Sequence, residues 1–323
     1  MKLYQLILMF TVITAWLRPD YGGGYAGSGL RSGSNAREVS LGGALSADKT
    51  QGFSAFSNPA LMPSLTTSQF GVSYQALSLD RYVSNIHISM KLPPKAGMGI
   101  ALRQWGTENI QGRDAMNIKT EIYSAKETEG ILSFGVAPTR KVSIGLNMKV
   151  MFPALADEYT GKGITQDIGI LYKHNNRFYL AAVAKNISGT YNWKYKVSED
   201  ERSVEETIPK EFIMSGAMYL RNGLSIFLQE DILQMGNNPL NYRLRFGMEY
   251  GIRNGFKYRL GGRQAESSRA IGMVSENKIM KPAFGFGMPI RISGGNYIQI
   301  DYAFLPGAFG EGGSNIFSLS MKY

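Results

Sequence analysis

Leu240, Tyr242, Leu244, Phe246, Met248, Tyr250 and Ile252 alternate along the chain with Asn241, Arg243, Arg245, Gly247, Glu249 and Gly251. Side chains of a β-strand point to opposite faces in turn, so this segment has one apolar face and one polar, charged or glycine face. The same period recurs. Phe256, Tyr258 and Leu260 oppose Lys257, Arg259 and Gly261; Phe284, Phe286, Met288, Ile290 and Ile292 oppose Ala283, Gly285, Gly287 and Arg291; Ile298, Ile300, Tyr302 and Phe304 oppose Tyr297, Gln299, Asp301 and Ala303. Past residue 21 no helix of ordinary length is expected.

Gly, Pro and Asn punctuation divides the chain into fourteen expected strands: 67–78, 82–92, 96–106, 115–137, 140–152, 164–173, 177–188, 207–220, 223–233, 239–252, 255–265, 281–292, 295–305 and 313–323. Tight turns fall at every second connection: Pro93-Pro94-Lys95, Pro138-Thr139, His174-Asn175-Asn176, Arg221-Asn222-Gly223, Arg253-Asn254-Gly255 and Ser293-Gly294-Gly295. Longer polar connections at 107–114, 153–163, 189–206, 266–280 and 306–312 take most of the others. An even strand count, about ten residues per strand and connections that alternate short and long predict an all-β fold. The expected architecture is a 14-stranded antiparallel transmembrane β-barrel, with short turns in the periplasm and loops outside. A soluble sandwich or propeller shares the period. Nearly uninterrupted Leu, Ile, Phe, Tyr and Met on one face, with Arg and Lys close together on the other, favour lipid outside and a wet lumen inside.

The two ends of the chain fit a barrel of the bacterial outer membrane. Lys2, the mostly apolar run from Leu3 to Leu17 and the break at Arg18-Pro19-Asp20 have the proportions of a signal peptide over residues 1–21. Residues 22–66, rich in glycine and without a long alternating run, are expected to fold inward as a plug ahead of the barrel at 67–323, since irregular backbone at membrane depth must lie inside protein. Asn58-Pro59-Ala60 is expected to start a turn there, with Pro59 fixing φ and the Asn58 side chain bonding local backbone. At the other end Phe317, Leu319, Met321 and Tyr323 alternate with Ser318, Ser320 and Lys322. A last strand that closes on an aromatic residue resembles the signal read by the bacterial barrel-assembly machinery.

Composition narrows the function. With no cysteine and two histidines, His87 and His174, the 323-residue chain has no thiolate site and little for metal or acid–base chemistry. A cysteine-free exported protein points to a bacterial envelope. No cofactor motif is present: the Gly22 to Gly29 cluster lacks a following Gly-Lys-Ser/Thr, and Gly161-Lys162-Gly163 lacks the upstream spacing. Asp231, Glu249 and Asp301 have no nucleophile beside them in the pattern, so no enzyme is expected. They read as lumen-lining ion pairs with Arg243, Arg245, Arg259 and Arg263. The formal charge of +10 is spread singly among apolar residues, which argues against nucleic acid. The acidic stretch from Lys196 to Glu206 is expected as an outer loop.

Several segments in order, Ala36-Arg37, Leu41-Gly42-Gly43-Ala44, Ala47-Asp48 and Asn58-Pro59-Ala60-Leu61, resemble the opening of the PorV/PorQ proteins, relatives of the FadL fatty acid transporters. Asp167-x-Gly169-x-Leu171-Tyr172, Lys185-Asn186, Ile208-Pro209 and Asp301-Tyr302-Ala303-Phe304 continue the likeness to the end. It departs at Lys49, where the family often carries an acid. The resemblance implies a 14-stranded barrel with an inward plug. For function it implies an interaction component of type IX secretion, with a translocon, a sortase and cargo C-terminal signal domains as partners beside outer-membrane lipid. The alternative it implies is a FadL-like transporter of hydrophobic small molecules, which needs an apolar pocket; the polar, glycine-rich inward positions of the tenth to twelfth strands count against a large one. A structural barrel with a closed lumen is the third reading.

Overall fold

The computed structural model describes residues 26–156, 159–197, 200–234, 236, 240–252, 255–264, 280–291, 297–307 and 312–323. The expected signal segment, the turns at 253–254 and 293–295 and most of the 266–280 connection lie outside the described residues.

Strands β1 (Gln69–Ala76), β2 (Arg81–Leu92), β3 (Ala96–Arg113), β4 (Lys119–Val136), β5 (Val142–Leu155), β6 (Tyr159–Lys173), β7 (Phe178–Val197), β8 (Asp200–Thr207), β9 (Lys210–Tyr219), β10 (Leu224–Gln234), β11 (Asn241–Gly251), β12 (Lys257–Gln264), β13 (Met280–Arg291), β14 (Tyr297–Leu305) and β15 (Ser314–Lys322) pair antiparallel in a closed ring. Closure comes from β1 against β15, from Gln69 opposite Lys322 to Ala76 opposite Asn315. No edge of the ring is left for hydrocarbon to meet, which a membrane-spanning sheet requires. β8 and β9 together make one wall strand: both pair with β7, and Pro209, which has no N–H to give the ladder, separates them. The strand expected at 207–220 is thus β9, continued by β8 across the break at Pro209, and the barrel wall has fourteen strands.

The apolar face points outward. On β5, Ile144, Leu146, Met148, Val150 and Phe152 are exposed while Asn147, Lys149 and Met151 between them are buried. Among the described residues no helix is long and apolar enough to cross a membrane; crossing is the work of the strands.

The wall is uneven in height. β3 and β4 have 18 residues and β7 has 20, against 8 to 9 for β12, β14 and β15. About 9–11 tilted residues cross a bilayer, so the long strands project well beyond it at the loop end. This corrects the expectation of loops at 107–114, 153–163 and 189–206, and of an acidic outer loop at 196–206. These segments are strands to within a few residues of each hairpin tip. Thr, Ile, Tyr, Trp and Val there keep the strand going, while solvent on both faces removes the alternation that marks the rest of the wall.

The lumen is filled rather than wet. Residues 26–66 run through it as short 3-10 turns at Ser28–Arg31 and Pro59–Ser64 and two short helices, α1 (Ala36–Ser40) and α2 (Ser54–Ser57). The Pro59–Ser64 turn contacts β2 to β6; α1 contacts β12 to β15. The inward glycines are the seats of this plug. A Cβ on Gly145 would lie 2.3 Å from the Pro59 carbonyl carbon, and one on Gly261 would lie 2.3 Å from the Gly42 nitrogen. Main chain meets main chain at both places, so only glycine fits without displacing the plug.

Candidate functional site

Two buried ion networks hold the plug, one on each side. On the first, Arg37 of α1 gives Nε to Glu249 Oε2 at 2.8 Å and Nη2 to Glu249 Oε1 at 3.1 Å, and its Nη1 reaches Asp48. Glu249 also accepts Arg259 Nε at 2.7 Å, and Arg259 Nη1 reaches Asp301 at 2.7 Å. The chain of charges Asp48, Arg37, Glu249, Arg259 and Asp301 thus alternates in sign from plug to wall, and the Tyr219 hydroxyl donates to Asp48 at its end. Buried charges are tolerated when paired and hydrogen-bonded in this way. Next to it Arg245 pairs with Asp231, with Glu211 at 3.9 Å. In register Arg243 stands opposite Asp231, and Arg263 opposite Arg245.

Of the expected lumen residues, Glu249, Arg259 and Asp301 therefore come together, while Arg245 pairs with Asp231 beside them on the same side of the plug. Their surroundings differ from the wet lumen expected: Arg245, Glu249, Arg259 and Asp301 are all buried. The water that would have solvated them is displaced by the plug.

The second network is one that the strand pattern does not single out. Lys149 Nζ lies 2.8 Å from Asp167 and 3.4 Å from Glu129, and Arg103 lies 3.9 Å from Glu129. Asn147 bridges it to the plug, donating to the Ala55 carbonyl at 2.8 Å and to Asp167 at 2.9 Å; Lys185 donates to the Phe56 carbonyl at 2.8 Å. The wall residues of this network come from separate strands, β3 to β7, and the strand register puts them side by side.

Asn58 ties the plug to itself. Its Oδ1 accepts the Ala60 N–H at 2.9 Å, starting the Pro59–Ser64 turn, and its Nδ2 donates to the Ser46 carbonyl at 2.9 Å. The Asn58 carboxamide is seated over Gly169 of β6, where a Cβ would lie 2.0 Å from its Oδ1. Phe317, Leu319 and Tyr323 face outward on the closing strand, and the Tyr323 N–H bonds the Ser68 carbonyl at 3.0 Å.

Above the plug, at the loop end, the tall strands enclose a vestibule of about 430 Å³. Gly27 and Gly29 line it from the plug; Val83, Trp105, Glu127, Leu155, Tyr191, Trp193 and Glu206 line it from β2 to β8. Trp105 lies flat on the Gly29 backbone, where a Cβ would come within 2.1 Å of the indole. Tyr191 and Trp193 meet edge to face at 6.2 Å. The acids are occupied: Tyr191 Oη donates to Glu127 at 2.8 Å and Trp193 Nε1 to Glu206 at 2.9 Å. Glu206, expected in a solvated loop, is thus part of the vestibule wall. Trp105 Nε1 is buried and has no partner among the described residues. Its volume is in the range of small-molecule sites, and its lining mixes the aromatic rings with the charged Arg81, Lys126, Glu127 and Glu206.

The wall is least regular beside the vestibule floor. Pairing of β6 with β7 shifts on both sides of Gln166, Asn186 and Ser188 have φ of 56° and 57°, and the break at Pro209 faces the same stretch. Ile208 packs there with Tyr191, Met151 and Ala26.

The fold has clear counterparts among solved structures. The toluene transporter TodX of Pseudomonas putida superposes with a TM-score of 0.65 at 12% identity, over 90% of this chain and 98% of that one. The toluene transporter TbuX of Ralstonia pickettii gives 0.63 at 10%, over 90% and 98%. A FadL homologue of Pseudomonas aeruginosa gives 0.60 at 12%, over 90% and 98%. At this identity the likeness is one of fold: a FadL-like barrel. No protein-family profile matches the chain, and no curated protein does.

Proposed function

We propose that the protein is an outer-membrane channel that admits hydrophobic small molecules, in keeping with the FadL-like barrel and with solved counterparts described as transporters and hydrocarbon channels. The observation that carries the proposal is the aromatic vestibule over the plug. Placing the short turns in the periplasm, as in other such barrels, opens this vestibule to the outside. A molecule the size of a substituted benzene fits about 430 Å³ and would cover the part-exposed Trp193 and Leu155 beside the edges of Trp105 and Tyr191. The packed plug and its ion networks block a straight path to the periplasm. Two exits remain, plug rearrangement and the irregular wall at Gln166, Asn186 and Pro209; for an apolar molecule the wall leads directly into hydrocarbon.

The resemblance to PorV supports a second reading, an interaction component of type IX secretion that binds cargo signal domains. The feature that suits it is the pair of tall hairpins, β3 with β4 and β7 with β8, which offer a protein partner a surface clear of the membrane.

Intrinsic fluorescence separates the two. If residues 1–21 are removed on export, the two remaining tryptophans, Trp105 and Trp193, both line the vestibule. Saturable, competitive quenching by small aromatic or aliphatic hydrophobes, together with their faster uptake into cells carrying the protein, is expected. Absence of both, with a translocon and signal-bearing cargo recovered from native membrane, would overturn the channel in favour of secretion.

A further inference from the structure

At the opposite end of the barrel lies a pocket with a different chemistry. It has a volume of about 330 Å³ and sits where the plug meets the turns that follow β2 and β4 and the end of β6. Five cations line it: Lys49 of the plug, Lys95, Arg140 and Lys141 of the turns, and Lys173 of β6. No carboxylate does.

Four features set this cluster apart from the other cations of the chain. First, among the described residues none of the five has an ion pair, although the same chain pairs its lumen cations with care. Second, Lys49 is held in place by uncharged groups. Its Nζ donates to Tyr179 Oη at 3.2 Å and to the Asn176 carbonyl at 3.4 Å, and it lies 4.9 Å from the ring centres of both Tyr179 and Tyr219. A lysine steadied by two aromatic faces is positioned, not free in solvent. Third, the turns of this end carry only positive charge. The tight turns from residue 93 to residue 255 supply Lys95, Arg140, Lys141, Arg177, Arg221 and Arg253, and not one Asp or Glu. Fourth, the cations converge from separate elements on one concavity, where like charges repel unless a counter-charge is shared.

We propose that this pocket binds a phosphate group and that the bound anion ties the plug to the wall. A single carboxylate brings one charge and two acceptor oxygens to the five cations. A phosphate brings about −1.5 to −2 and three acceptor oxygens, and suits mixed Arg and Lys donors. Because Lys49 belongs to the plug and the other four cations to the wall, a single ligand bridges the two. The site lies across the plug from the vestibule and does not depend on what the vestibule holds. Two sources share the chemistry: a soluble phosphate or pyrophosphate of the periplasm, and a phosphomonoester lipid headgroup reaching the mouth of the barrel.

The test uses the mature full-length protein in nanodiscs. In discs of phosphatidylcholine alone, pyrophosphate is titrated by calorimetry at low and at high salt, and hydrogen exchange is followed over residues 46–64. Saturable binding that weakens with salt, with slower exchange in the plug, is expected. Lys95→Gln/Arg140→Gln/Lys141→Gln should weaken it by about tenfold or more, and Arg221→Gln, on the same rim outside the pocket, should leave it unchanged. If phosphatidic acid in the disc slows plug exchange without free phosphate and pyrophosphate does not bind, the lipid is the source. The triple variant alters exposed turn residues only; heat-modifiable migration checks that it is folded, and Lys173→Gln serves if it is not. No response to either source, or an equal response in the triple variant, overturns the proposal.

Discussion

Arg37 of the plug and Glu249 of β11 form a two-pronged ion pair, Nε to Oε2 at 2.8 Å and Nη2 to Oε1 at 3.1 Å, with both side chains buried. They are 212 residues apart in sequence, so the pair fixes the plug against a wall strand that is synthesised long after it. Removing one partner leaves the other charged and dry. Glu249→Gln, or Arg37→Met, is expected to destabilise the folded barrel by about 3–5 kcal/mol. The Arg37→Met/Glu249→Gln double variant should lose less than the sum of the two. Urea unfolding in detergent measures all three, and additive losses would mean that the pair is not the unit described here.

Gly261 tests the close approach of plug and wall by size instead of charge. In Gly261→Ala the new methyl would sit 2.3 Å from the Gly42 nitrogen and 2.4 Å from the Leu41 carbonyl carbon, both main-chain atoms that cannot swing aside. Overpacking of this kind costs about 1–3 kcal/mol. The expected outcome is a barrel that still migrates as folded, with faster hydrogen exchange across residues 36–48 and raised single-channel conductance. Gly216→Ala is the control, because its only near neighbour is the Leu180 side chain at 3.7 Å.

Alternation, the Gly, Pro and Asn punctuation between runs and the short-long rhythm of the connections were enough to give the number of wall strands and their antiparallel order, and the nearly uninterrupted apolar face opposite Arg and Lys gave the side that meets lipid. What the period cannot give is register. It marks Arg259, Glu249 and Asp301 as inward, yet their contacts depend on which rungs of β11, β12, β13 and β14 align. Lys149 and Glu129 passed unnoticed for the same reason. The projecting hairpins were misread as loops since solvent on both faces erases the period. The buried state of the lumen charges was also hidden: glycine on the inward face looks like room for water until the plug is seated on it. Conversely, scattered residues that carried the family resemblance, Arg37, Asp48, Asp167, Asn186 and Asp301, prove to be members of the two networks that hold the plug.

Asn58→Ala removes both the cap of the Pro59–Ser64 turn and the bond to the Ser46 carbonyl, in a fully buried place. Loss of the cap and the orphaned backbone groups together should cost about 1–3 kcal/mol. Limited proteolysis is expected to cut within residues 46–66 in the variant and not in the parent. Equal resistance would show that Pro59 alone holds the turn.

The closing strand separates wall stability from recognition during assembly. Leu319, at the centre of β15, faces outward opposite Val72 and Ile300. Leu319→Arg puts a charge in hydrocarbon at about 2–4 kcal/mol and should lower stability after refolding in vitro. Tyr323 is half exposed at the end of the chain, where only its N–H bonds Ser68. Deleting it should leave refolding in vitro almost unchanged and reduce the folded yield in cells, if the terminal aromatic is read by the assembly machinery. Equal yields in cells would assign the aromatic to the wall alone.

The vestibule makes the most direct demand on function. Trp193 presents one edge to Tyr191 and spends its N–H on Glu206, so Trp193→Ala removes an aromatic wall and releases a carboxylate into the space a hydrophobe would fill. Affinity for a small aromatic ligand should fall about tenfold, or ~1.4 kcal/mol, with barrel stability unchanged because the site lies on the projecting part of the wall. Gly29→Ala acts on the same pocket from below. Its methyl would come within 2.1 Å of the Trp105 ring, so the indole must leave its seat on the plug and turn into the vestibule. The Trp105 emission should shift before any ligand is added, and uptake should drop. If both variants bind and admit hydrophobes as the parent does, the vestibule is not on the transport path, and the irregular wall around Gln166 and Asn186 becomes the place to look.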